Sequence, residues 1–80
     1  MNQKITNQIE LDFNKDEQKT VKRELLSIQE IYVDISSYNF ENTCLAILKL
    51  AEGELTKVKY YVSAAKKDFR DVIMWAMEDK

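Results

Sequence analysis

The chain predicts an all-α fold, a small three- or four-helix bundle with an extended N-terminal arm. Three observations carry that prediction. There is no proline and a single glycine in 80 residues, whereas sheet-rich chains need turn residues every few positions. In the stretch 54–78 the apolar residues Leu55, Val58, Val62, Ala65, Phe69, Val72 and Ala76 are separated by alternating gaps of three and four. At about 100° per residue that spacing draws one stripe along a helix. Finally, Asn14 followed three positions later by Glu17 is the signature of a capped helix start.

Residues 1–13 read as an extended arm or short strand, with the helical domain over 14–80. Ile5, Ile9, Leu11 and Phe13 share one parity, and Thr6, Gln8, Glu10 and Asp12 share the other, which is a period-two pattern. No second strand is evident for it to pair with, so pairing with a second copy, or lying on helices, is the expected outcome. A partly ordered tail is the alternative.

The first helix is expected at about 15–35, where Val21, Leu25, Ile28, Tyr32 and Ile35 form a stripe. Leu26, Ile31 and Val33 lie off that stripe, predicting contact on a second side. The β-branched end 31–35 weakens the helical pattern there. Ser36, Ser37 and Asn39 break the chain and offer caps. The next helix, 39–52, carries Phe40, Cys44, Ile47 and Ala51 on one stripe. Leu45, Ala46, Leu48 and Leu50 cover much of the remainder. A helix apolar nearly all round is a buried one, so this segment is the expected centre. Gly53 stands where a glycine ends a helix cheaply, giving a tight turn; a bent helix running through it is the rival. A third helix then covers 54–78, and a break at Lys67–Asp68, with Asp68 as cap, would make four.

Several functions are disfavoured by composition. Twelve Lys and Arg against fourteen Asp and Glu give a net charge of −2, where a generic nucleic-acid binder is basic. There is no histidine, removing the commonest general base and metal ligand. One glycine excludes a glycine-rich phosphate loop. Cys44 is the only cysteine and sits on an apolar stripe, the setting of an inert buried thiol. Without a disulfide, a signal-peptide core or a long apolar run, the chain reads as soluble and cytoplasmic. Asp12, Asn14 and Asp16 have the opening spacing of a calcium loop, but Glu17 replaces its glycine and Arg23 its glutamate, so a helix cap accounts for them. Asp68 and Asp71 read as ordinary surface ion-pair residues with Arg70 and Lys67. The reading is therefore no enzyme, no cofactor and no metal.

Two surface features remain. Tyr60, Met74 and Met77 fall off the stripe, and Trp75 sits with Tyr61 at its other edge, where neighbouring helices of the same chain are expected to cover both. Tyr, Trp and Met are enriched in interface cores, which points to a protein partner or a homodimer. Lys59, Lys66 and Arg70 share one face of a continuous helix, with Lys67 beside them, and offer anion or nucleic-acid contacts as the second reading.

The tract from Ala46 to about Asp79 resembles a group of small bacterial proteins of unknown function. The shared pattern is AILKLA, a glycine, an acidic residue and Leu, then YV-x-A-A-K, then an Asp–aromatic–Arg–Asp–Val run followed by Trp-Ala. Glu54 stands where aspartate is common. The resemblance implies a bacterial, cytoplasmic protein and brings no activity, cofactor or site residue. The resulting expectation is a non-catalytic protein-interaction module that self-associates, with a nucleic-acid-associated regulator as alternative.

Overall fold

A central helix, α4 (Ser37–Ala51), organises the chain in a computed structural model that describes residues 1–78. Its start is set by Ser36, whose Oγ accepts a hydrogen bond from the Asn39 N–H at 3.0 Å, satisfying a donor that has no partner within the helix. Phe40, Thr43, Cys44, Ala46, Ile47, Leu48, Leu50 and Ala51 are all buried. The Thr43 hydroxyl donates to the Asn39 carbonyl at 2.7 Å, which offsets the cost of burying it. Full burial of a side chain such as Ile47 stabilises by about 1.5–3 kcal/mol.

Around α4 stand α1 (Gln3–Asp12), α5 (Leu55–Lys67) and α6 (Phe69–Glu78), all in contact with it; α2 (Lys15–Leu26) packs on α1 and α5, and a four-residue helix α3 (Ile28–Ile31) follows α2. The described residues are all-helical, with five helices of ten residues or more in place of three or four. Asp79 and Lys80, the end of the expected domain, lie outside the described residues.

The N-terminal arm is corrected to a helix. Asn2 caps α1 by accepting from the Ile5 N–H at 3.0 Å, and Ile5, Ile9 and Phe13 are buried. Those three are spaced by four, which suits one helical face as well as one strand parity. Leu11, which completed the alternation, is 79% exposed. Helical hydrogen bonds also satisfy the backbone without the missing second strand.

The expected helix 15–35 ends earlier. Asn14 does cap it, with Oδ1 accepting from Glu17 N–H at 3.0 Å. At Ser27 the hydroxyl donates to the Glu24 carbonyl, a local bond that competes with helix geometry, and the Glu30 N–H turns tightly onto the Ser27 carbonyl. Past Ile31 the chain leaves the helix at Tyr32 (φ −110°, ψ 73°), within the β-branched run. Leu26, Ile31 and Val33 are exposed rather than contacted on a second side.

The turn after α4 uses two left-handed residues, Glu52 (φ 50°) and Gly53 (φ 77°). Gly53 is also packed in. A Cβ there would lie 3.2 Å from the Asp12 carbonyl oxygen at the end of α1.

The helix over 54–78 breaks at Asp68, which is extended (φ −160°, ψ 106°). Its Oδ1 accepts from the Arg70 N–H at 3.0 Å, capping α6. The elbow is held from the first half of the chain. The Tyr32 hydroxyl donates to the Lys66 carbonyl at 3.2 Å, and the Tyr32 and Phe69 rings meet edge to face at 5.1 Å. On the far side, Lys49 Nζ donates to the Ala76 carbonyl at 2.7 Å, meeting one of the carbonyls that a helix end leaves without partners. No buried side-chain nitrogen or oxygen lacks a partner among the described residues.

Candidate interaction surface

The α5 and α6 stripes turn Val58, Val62, Ala65, Val72 and Ala76 inward. The same spacing forces Tyr60, Met74, Trp75 and Met77 toward solvent. Tyr60 is 65% exposed, Met74 52%, Trp75 37% and Met77 76%. Exposed side chains of this size and type are the raw material of binding hot spots.

They do not form one patch. Tyr60 packs edge to face on Tyr61 at 5.1 Å, and Tyr61 meets Trp75 at 6.3 Å. Such contacts contribute about 0.5–1.5 kcal/mol each and restrict the rings. Tyr60 and Trp75 then border a shallow groove of about 230 Å³ between α5 and α6, with Ser63, Ala64, Lys67 and Asp71. Met77 lines a different groove, between α4 and α6, with Tyr38, Leu45, Lys49 and Ile73. Half-buried Tyr61 is covered within the chain, while Trp75 is only partly covered.

The basic row is interrupted. Lys59, Lys66 and Arg70 line up only if the helix runs on through Asp68, and it does not. Lys59 and Lys67 are exposed and Lys66 half-buried. The Arg70 guanidinium closes on Asp68 with Nε to Oδ1 and Nη2 to Oδ2, each at 3.1 Å. That bond holds the Asp68 carboxyl below its ordinary range and pushes the guanidinium up. A guanidinium engaged this way offers less to a phosphate. The break also separates Lys67 from Asp71, which form no ion pair; the pairs among the described residues are Lys57–Glu54 and Arg70–Asp68.

Cys44 is fully buried, and its thiol is pushed up to about 12 by that burial. Nucleophilic chemistry requires the thiolate, which this site suppresses.

A second apolar area was not singled out by the sequence as a site. Exposed Ile31 and Val33 border a groove of about 490 Å³ with Tyr32, Asp34, Ile35 and Phe69. The signal was present in the β-branched run, which marked the end of a helix rather than a second buried face.

No helix among the described residues is long and apolar enough to cross a membrane. Comparison of the chain with known protein families, with curated proteins and with solved structures finds no match.

Proposed function

We propose that this chain is a small, non-catalytic protein-interaction module of a bacterial cytoplasm that self-associates through the outer face of α5 and α6. The observation that carries the reading is the solvent exposure of Tyr60, Met74, Trp75 and Met77 on two adjacent helices whose opposite faces are fully packed. Large exposed apolar side chains on a small domain mark contact residues, here with Tyr60 and Trp75 at the α5–α6 groove and Met77 at the α4–α6 groove. The absence of histidine from the chain and the burial of its only thiol support a non-catalytic role.

Sedimentation velocity at micromolar concentration tests this. The unmodified chain is expected to sediment as a dimer, and a Tyr60→Asp/Met74→Asp variant, both changes lying at exposed positions, as a folded monomer. A monomer for the unmodified chain across that range overturns the reading.

A further inference from the structure

Resting on the self-association reading, we infer that the dimer forms about a two-fold axis over the Tyr60–Trp75 groove, held in register by reciprocal Lys67–Asp71 ion pairs between copies. The fold leaves the charges of Lys67 and Asp71 unpaired with each other. Lys67 ends α5 and Asp71 lies in the first turn of α6, so the break at Asp68 takes them off the single helical row on which residues four apart pair. Both are exposed, both border the groove, and neither joins an ion pair among the described residues.

A two-fold contact sets residue i of one copy against residue j of the other and j against i. A groove with one cation and one anion at its rim is therefore complementary to itself. The neighbouring apolar grooves are not. The α4–α6 groove has Lys49 as its sole charged lining residue, and the groove at Ile31 and Val33 has Asp34 alone. Close to a two-fold axis either would bring like charges together, which disfavours association. The Tyr60–Trp75 groove is also lined by Ser63 and Ala64, whose small side chains leave room for a ring from the facing copy. Tyr61 braces both flanking rings, so little side-chain freedom is lost on contact.

Charge reversal with exchange tests the pairing. Lys67→Glu and Asp71→Lys are each expected to raise the dimer dissociation constant by roughly tenfold or more. An equimolar mixture of the two variants is expected to form a heterodimer, and the double variant Lys67→Glu/Asp71→Lys to recover the homodimer. Sedimentation velocity reads the association, and circular dichroism confirms helix content in every sample. If a reversal disturbs folding, Lys67→Gln and Asp71→Asn take its place, with a smaller rise expected for each. A dimer indifferent to both single changes overturns the ion-pair register and leaves self-association standing. Loss of association in both variants without recovery in the mixture also overturns it. A monomeric unmodified chain removes both proposals.

Discussion

Replacing Gly53 with alanine isolates the energetics of the turn that joins the central helix to the candidate surface. Gly53 has φ 77°, and an added Cβ would sit 3.2 Å from the Asp12 carbonyl oxygen. A left-handed backbone costs a residue with a Cβ about 1–2 kcal/mol. Reduced freedom of the unfolded chain returns about 0.4–1 kcal/mol. The carbonyl belongs to the last residue of α1, and moving it loosens the packing of that helix, so crowding adds to the cost. The net loss expected is about 1–2 kcal/mol. For a domain of this size each kcal/mol corresponds to about 4–8 °C in Tm. Thermal and urea unfolding followed at 222 nm measure it, and Gly53→Asn separates the two causes. Asparagine tolerates the left-handed region but keeps the Cβ, so a cost equal to that of alanine assigns the effect to the Asp12 contact. An unchanged or raised Tm for Gly53→Ala refutes both the turn geometry and the close approach of α1.

Removing the Tyr32 hydroxyl by Tyr32→Phe keeps the ring on Phe69 but leaves the Lys66 carbonyl without that donor. A loss of about 0.5–1.5 kcal/mol, with faster amide exchange at the α5–α6 elbow, is expected, and unchanged exchange there counts against the bracing role. The Cys44 thiol titrates near 9.0 when unfolded and near 12 in the fold. The folded state therefore holds its proton longer, and stability falls as pH rises above 9. Between pH 9 and 10 the thiol alone is expected to remove about 1 kcal/mol. Urea midpoints for the unmodified chain and Cys44→Ala measure this, and parallel pH profiles for the two would contradict it.

The parts of the fold legible in the sequence were those in which one local rule acted alone. Asn14, Ser36 and Gly53 mark their boundaries by hydrogen-bonding capacity or by freedom at φ; Asn14 and Gly53 lie at the expected boundary, while Ser36, one of three candidate caps, starts the central helix at Ser37 instead of the expected 39. The N-terminal segment was ambiguous for a geometric reason. A spacing of four fits an even period and a 3.6-residue period equally, so Ile5, Ile9 and Phe13 could not decide, and Leu11 tipped the reading toward a strand. For residues 31–35 the β-branched run held the information, but the same residues also extend an apolar stripe. Exposure of Tyr60, Met74 and Met77 was readable from their angle on the helix. Grouping was not, because it depends on which neighbour flanks α6 on each side. The row Lys59–Lys66–Arg70 assumed an unbroken rod, and one capping carboxylate at Asp68 dissolved it. Contacts between distant segments, Tyr32 with Lys66 and Lys49 with Ala76, leave no trace in local periodicity.

The connections between successive helices are brief, the longest being Tyr32–Ser36. Little entropy is surrendered when such short spans close, so most of the search for the native arrangement is between neighbours along the chain. Helical domains of that topology acquire their structure in microseconds to milliseconds. A newly made chain would thus hide its apolar interior quickly, leaving the outward-facing rings of the last two helices, with Leu11, Ile31, Val33 and Tyr38, among the greasy side chains still in water.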